Sequence, residues 1–150
     1  MKPTNRNSPS LIAIVAAMLF ALMALAVSAQ QSTPPPSPHA DVLSIGGSVT
    51  EIVAALGQQH RLKARDTTSS YPVEVTNLPD VGYMRSLSPE GVLSVGPSLI
   101  LSEEGAGPPE ALEVIRAADV PFVEVPDALT ADGILRKIKV IGAALGVSER

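Results

Sequence analysis

The sequence of 150 residues contains no cysteine and no tryptophan. The chain therefore forms no disulfide, has no thiolate ligand for zinc and offers no cysteine that could carry a lipid. Its two histidines, His39 and His60, have no partner at a zinc-ligand spacing. Only two tyrosines, Tyr71 and Tyr83, and two phenylalanines are present, which makes each tyrosine a candidate functional residue.

Positive charge is also scarce, with 11 Lys and Arg against 15 Asp and Glu and a formal net charge of −4. Loss of an N-terminal segment containing Lys2 and Arg6 would lower the basic count to nine and the net charge to −6. Nucleic acids and anionic membrane surfaces are bound through basic patches. The composition therefore argues against both as partners.

An apolar run of 17 residues, Leu11 to Val27, follows the basic residues Lys2 and Arg6. The small residues that end with Ala29 suit signal peptidase, so residues 1–29 are predicted to be a secretory signal peptide. The alternative is a retained membrane anchor, because the run is almost long enough to span a bilayer. Residues 30–40, QQSTPPPSPHA, read as a Pro/Ser-rich tether that gives His39 no fixed role.

Short apolar strands alternate with helices from Asp41 onward. This alternation is typical of an α/β domain with a mainly parallel sheet flanked by helices, here over residues 41–146. Ser48 and Ser88 precede two of the helices and are predicted N-caps. The predicted strands are residues 42–45, 61–64, 99–101 and 121–125, and the predicted helices are residues 49–56, 89–95, 110–118 and 130–145.

The last predicted helix has the clearest amphipathic pattern. Ile134, Ile138, Ile141 and Leu145 are expected to face the core, with Lys137 largely outside. Residues 147–150 then look like the start of another helix. Since a domain rarely ends on such a start, we expect the chain to be part of a longer protein with a further domain.

Ligands of parallel α/β sheets bind beyond the carboxyl ends of the strands. Three predicted loops lie there: residues 46–48, 66–85 and 102–109. Gly46 and Gly47 open a helix, and their backbone N–H groups could hold a phosphate or carboxylate. The glycines that a dinucleotide site would need further along are absent. Close packing of the strand against the helix is the alternative interpretation.

Tyr83 lies in the second of these loops, shortly before a capped helix. A phenol ordinarily has a pKa of about 10, so it binds ferric iron at neutral pH only when a metal ion or a cation favours its ionised form. Arg85 is a nearby cation, and tyrosinate is an axial ligand of haem iron in other proteins. The alternative is a tyrosine that packs over the domain edge. Tyr71 is a second possible iron ligand, with packing in a turn as its alternative.

Arg65 and Arg85 suit the carboxylates of a ligand such as haem, because a guanidinium binds carboxylates through paired hydrogen bonds. The alternative for each is a solvated charge or a local ion pair with Asp66, Asp80 or Glu90. Glu90 lies at a helix start, where an acidic side chain interacts favourably with the helix dipole. Its functional interpretation is docking onto arginines of a membrane partner.

Five stretches resemble the N-terminal lobe of bacterial haemin-binding periplasmic proteins, whose wider group includes cobalamin- and siderophore-binding proteins. The similarity extends over residues 45–147. The third stretch is the specific one, because the cobalamin and siderophore relatives do not usually keep it. The stretches are GGSVTEI (46–52), RDTTS (65–69), LPDVGYMR (78–85), LSPEGVL (87–93) and EGAGPP (104–109).

The resemblance implies the N-terminal lobe of a two-lobed protein, in which a linking helix, begun by residues 147–150, joins the lobes and haem lies between them. It implies that Tyr83 is the axial iron ligand, that Arg85 lies beside it and that Glu90 pairs with permease arginines. The resemblance also implies a second lobe, which we expect to lie outside these 150 residues.

We therefore expect a monomeric, non-enzymatic haem carrier of the periplasm that supplies an ABC permease and ATPase complex in the inner membrane. Tyr83 would bind iron and Met84 would cover the haem ring; the other expected ligand-binding residues are Arg85, Arg65, Gly46 and Gly47. Acidification should favour release. The alternatives are a cobalamin or ferric siderophore carrier, a partly folded inactive fragment, and a secreted α/β hydrolase-like enzyme, which lacks a visible nucleophile–base pair.

Overall fold

The computed structural model describes residues 41–127 and 129–147. The predicted signal peptide, the tether at residues 30–40 and residues 148–150 of the predicted linking helix lie outside the described residues. Within the described ranges, no helix has both the length and the apolar character that a membrane crossing requires.

The described residues form one parallel sheet with helices on both faces, which confirms the predicted α/β class. The strand order is β2-β1-β3-β4, and all three neighbouring pairs are parallel. The strands are β1 (Val42–Ile45), β2 (Leu62–Arg65), β3 (Leu99–Glu103) and β4 (Phe122–Val125), and the α-helices are α1 (Gly47–Ala55), α2 (Pro89–Ser94), α3 (Pro109–Ala117) and α4 (Ala131–Leu145). Short 3₁₀ turns occupy Gln59–Arg61 and Val73–Asn77.

The side chains of the central strands alternate between two buried layers. Val42 and Leu101 pack in the layer that includes residues of α1 and α4, whereas Leu43 and Ile100 pack in the layer that includes residues of α2 and α3. All four are fully buried. Because helices cover both faces, the central strands read as continuous apolar runs, as buried parallel strands do.

The two predicted N-caps have different outcomes. The Ser88 side chain accepts a hydrogen bond from the Gly91 N–H at 3.0 Å, so the predicted cap of α2 is confirmed. The prediction for Ser48 is wrong, because α1 begins at Gly47 with Gly46 as its N-cap. The Ser48 hydroxyl instead donates to the carboxylate of Glu103.

Helix α4 buries a different set of residues from the one its pattern predicts. Ile141 and Leu145 are buried as expected, but Ile134 is 56% exposed. Lys137, expected outside, is buried. Its ammonium group can face inward because two carboxylates, from Glu103 and Asp127, receive it.

Candidate functional site

The three predicted loops meet at the carboxyl edge of the sheet. Hydrogen bonds join them directly, since the Gly46 N–H donates to Asp66 Oδ1 at 3.0 Å and the Gly107 N–H donates to the Met84 carbonyl at 2.9 Å. This edge is where parallel α/β sheets bind ligands.

Asp66 holds the first loop against the second. Its buried carboxylate accepts hydrogen bonds from the Gly46 N–H, from the Thr68 N–H and hydroxyl, and from the Ser69 hydroxyl. The Gly47 N–H donates to the Thr68 hydroxyl at 3.0 Å. Since protein groups already use the N–H groups of Gly46 and Gly47, the geometry favours the packing interpretation, and their contact with a ligand stays a prediction.

Gly46 is also required by its backbone and its surroundings. Its φ is +107°, a conformation that side chains disfavour. A Cβ placed there would lie 2.6 Å from Glu103 Oε2 and 2.7 Å from Glu103 Cβ. The glycine therefore lets β1 approach the end of β3, which brings Glu103 against the first loop.

Arg65 supports the second loop from inside. Its guanidinium contacts Asp80 Oδ2 at 3.0 Å, and its Nε donates to the Val75 carbonyl at 3.1 Å. The backbones of Arg65 and Asp80 also form an isolated parallel bridge. The structure thus contains the local ion pair that is the alternative for Arg65, and a contact of Arg65 with ligand carboxylates stays a prediction.

Tyr83 projects from a segment whose backbone is fixed on both sides. The Thr67 N–H donates to the Gly82 carbonyl at 3.0 Å, and the Ser86 N–H closes a turn onto the Tyr83 carbonyl at 2.8 Å. Val81 and Met84 are buried on either side, while Tyr83 is 48% exposed. The local fold therefore holds the backbone still and presents the phenol outward.

Met84 does not have the position we expect for a residue that covers a ligand. Its residue is 8% exposed, and its side chain packs in the core layer with Val81 and Leu87. Exposed and buried positions alternate along this turn: Tyr83 is exposed, and Met84, the next residue, is buried. Met84 is thus part of the core in this structure, and its covering of a haem ring stays a prediction.

Arg85 and Glu90 are exposed. Neither side chain has a hydrogen bond or ion pair with another of the described residues. Arg85 thus keeps its guanidinium available two positions from Tyr83. His60 is also exposed. Tyr71 is 66% exposed, beyond what a tyrosine packed in a turn would show.

A polar cluster at the same edge is not predicted from the sequence. Lys137 Nζ lies 2.5 Å from Glu103 Oε1, 3.0 Å from Asp127 Oδ1 and 2.9 Å from Ser48 Oγ. Burial alone would lower the pKa of Lys137, but its hydrogen bonds and charge interactions with Glu103 and Asp127 outweigh this effect and raise the pKa. One feature of the sequence indicates that Lys137 is buried: it lies four residues before the buried Ile141, and therefore on the same face of the helix.

A cleft of about 660 Å³ opens beside this cluster. Ser48, Glu103 and Lys137 form part of its polar wall, and Tyr71 and Ile134 form part of its apolar wall. Tyr83 does not line it. The described part of the chain contains no group of His, Asp and Glu side chains arranged to hold a metal ion.

The sequence profile of the periplasmic binding protein family matches residues 42–150. The chain belongs to the periplasmic binding protein family.

Solved and curated relatives define the similarity further. The periplasmic heme-binding protein RhuT from Roseiflexus sp. RS-1 is 40% identical with a TM-score of 0.69, over 72% of this chain and 41% of RhuT. The uncharacterized ABC transporter substrate-binding lipoprotein YvrC of Bacillus subtilis is 30% identical over 73% of this chain and 35% of YvrC. The vitamin B12-binding protein of Photorhabdus laumondii is 32% identical over 51% of this chain and 28% of that protein. The chain thus spans less than half the length of each relative.

Proposed function

We propose that this chain is the N-terminal lobe of an exported haem-binding protein that serves an ABC importer. The observation that carries the proposal is the presentation of Tyr83: its backbone is hydrogen-bonded on both sides and its side chain is exposed, and Arg85, two positions along the chain, is also exposed and has no side-chain partner within the described ranges. The described similarity to a heme-binding protein, RhuT, supports haem as the ligand.

In the proposed mechanism, Tyr83 binds ferric iron as tyrosinate. The phenolate adds a negative charge at the iron, and Arg85 offsets that charge or binds a haem propionate. Arg65, Gly46 and Gly47 hold the loops from behind through the hydrogen bonds described above. The protein changes no covalent bond of its ligand, so we propose a carrier and not an enzyme.

Two exposed tyrosines provide a matched test of this mechanism. Ferric haem would be titrated into the purified chain and into its Tyr83→Phe and Tyr71→Phe variants, with absorption spectra recorded at each step. We expect a tyrosinate-type spectrum that Tyr83→Phe loses and Tyr71→Phe keeps, and that weakens as the pH is lowered. Loss in Tyr71→Phe alone would move the iron ligand to Tyr71. An unchanged spectrum in both variants would reject tyrosine ligation.

Cobalamin is the second candidate ligand, because the relative from Photorhabdus laumondii is a vitamin B12-binding protein. Titration with cyanocobalamin separates the two candidates. A cobalamin site, or a siderophore site whose ligand chelates its own iron, should be nearly insensitive to Tyr83→Phe. Binding of cobalamin by the chain, with no spectral response to haem, would favour this second candidate.

We further propose that the protein works in the periplasm as a monomer, together with a permease and ATPase complex of the inner membrane. The description of YvrC as an ABC transporter substrate-binding lipoprotein supports the transport role. Glu90 is the proposed docking residue, since it is exposed and has no bonding partner within the described ranges.

A further inference from the structure

Lys137 connects helix α4 to the end of β3. Its side chain is 8% exposed and that of Glu103 is 12% exposed, so the two charges meet largely away from water. All three protons of the ammonium group have acceptors, in Glu103, Asp127 and Ser48. A buried pair that is satisfied in this way fixes the position of both side chains.

The backbone that follows Glu103 leads from this pair to the Tyr83 turn. The Ala106 N–H closes a turn onto the Glu103 carbonyl at 3.2 Å, and the Glu104 N–H donates to the Val125 carbonyl at 2.8 Å. Next, Gly107 donates its N–H to the Met84 carbonyl at 2.9 Å and accepts from the Leu87 N–H at 2.8 Å. The loop at residues 103–107 is thus bound to α4 and β4 at its first residues. At its last residue, Gly107, it is hydrogen-bonded to the turn that carries Tyr83.

We propose that Lys137 and Glu103 are positioning residues for Tyr83, acting through the loop at residues 103–107. This inference rests on the proposed function for its consequence, which is haem affinity. Lys137 lies outside the turn that carries Tyr83, and its influence travels through the hydrogen bonds just described.

Removing the ammonium group should move the loop for a clear physical reason. Without Lys137, the Glu103 carboxylate would remain mostly buried, and among the described side chains the Ser48 hydroxyl would be its one remaining donor. An uncompensated buried charge is strongly unfavourable, so Glu103 would turn toward water. The residues after Glu103 would be displaced with it, and the hydrogen bonds of Gly107 with Met84 and Leu87 would weaken.

The first arm of the test needs no ligand. In a Tyr71→Phe background, Tyr83 is the only tyrosine of a chain without tryptophan, so tyrosine emission reports on Tyr83 alone. We expect Lys137→Met to raise the quenching of this emission by acrylamide, because a released turn exposes the phenol more. Lys139→Met, an exposed change on the same helix, should leave quenching unaltered. Adding Glu103→Gln to Lys137→Met should restore most of the original quenching, because the amide oxygen at position 103 can still accept the hydrogen bond from Ser48 and no charge is left unpaired there.

The second arm measures haem affinity in the same variants. Lys137→Met should weaken binding by roughly tenfold, in the range seen when residues behind a metal ligand are removed. Lys139→Met should not weaken it, and Lys137→Met with Glu103→Gln should recover most of the loss. Circular dichroism would establish that each variant is folded. If Lys137→Met does not fold, Lys137→Gln against Lys139→Gln makes the same comparison.

The two arms separate the inference from the proposed function. Absence of haem binding in the unaltered chain counts against the proposed function, whereas the quenching comparison still decides the positioning role. Equal quenching in folded Lys137→Met and its parent would overturn that role. A double variant as perturbed as Lys137→Met alone would also overturn it, because the unpaired carboxylate would then not be the cause.

Discussion

At the scale of single residues, Lys137 occupies an environment that lysine rarely enters. A buried ammonium group is tolerated when carboxylates receive it, and here Glu103 and Asp127 do so. The neighbouring lysine, Lys139, is exposed on the same helix. Lys137 and Lys139 are two positions apart on this helix. Lys137 faces inward because β3 and the chain after β4 provide its carboxylate partners.

The raised pKa of Lys137 predicts a specific dependence of stability on alkaline pH. A lysine in the unfolded chain titrates near pH 10.4, and because the folded state holds the proton more tightly, its stabilising contribution is complete below about that pH. The contribution is lost as the pH rises through the folded-state pKa. We expect the free energy of unfolding in urea to fall more steeply above about pH 10 for the unaltered chain than for Lys137→Met.

The control for this prediction is Lys139→Met, which should follow the unaltered chain across the alkaline range because Lys139 is exposed. The other ionisable side chains are the same in the unaltered chain and in Lys137→Met, so they cancel from that comparison. Parallel pH profiles for the unaltered chain and Lys137→Met would contradict the prediction.

At the scale of helices and strands, α2 depends on its first residues. The helix has only six residues, Pro89–Ser94, and its Val92 is fully buried in the core. Ser88 caps it, and Leu87 just before the cap bonds to Gly107. The start of α2 is therefore continuous with the segment that presents Tyr83.

Replacing the cap should destabilise the folded chain. We expect Ser88→Ala to lower the free energy of unfolding by about 1 kcal/mol, because the Gly91 N–H loses its acceptor. Ser94→Ala is the matched control, since the exposed Ser94 hydroxyl donates to the Gly91 carbonyl and its loss should cost less than about 0.5 kcal/mol. Urea denaturation followed by circular dichroism would measure both, and equal losses would refute the capping role.

The helices and strands are predictable from the sequence because their signals are local. Each predicted boundary lies within two residues of the observed one. The cap at Ser88 and the inward residues Leu112 and Ile115 of α3 follow from neighbouring residues alone. The pattern fails at Ser48, where a contact with Glu103, 55 positions away, replaces a cap.

The site is only partly predictable for the same reason. Tyr83 and Arg85 are identified by a local motif and are exposed as that motif requires. The network that supports them is not local: Arg65 pairs with Asp80 across 15 positions and Lys137 pairs with Glu103 across 34. The sequence offers Asp80 as one possible partner for Arg65 without deciding between this ion pair and a ligand contact, and it does not specify Glu103 as the partner of Lys137.

At the scale of the whole molecule, the described residues provide one carboxyl edge, which carries Tyr83, and one helix start, which carries Glu90. The chain spans 41% of RhuT, so the proposed transport role concerns only the part of such a protein that these residues match. The proposed function requires that this surface meet both the ligand and the importer.

Glu90 provides a test of the importer contact. With a permease and ATPase complex in vesicles, we expect Glu90→Arg to weaken binding by at least about tenfold, because it would place like charges opposite one another. Glu113→Arg, an equal change of charge at another exposed position, should weaken binding far less. If both variants lose affinity equally, net charge and not a specific contact would explain the effect.

Several hydrogen bonds that hold the segment around Tyr83 run between backbone atoms. Thr67 donates to the carbonyl of Gly82, and Gly107 bonds to Met84 and Leu87, without using the side chains of Tyr83 or Arg85. Those two side chains can consequently be exchanged without cutting the bonds that shape the surface. If Tyr83 and Arg85 select the ligand as proposed, ligand preference and folding depend on different atoms of the same segment, and the relatives described above indeed differ in ligand, one being named for heme and another for vitamin B12.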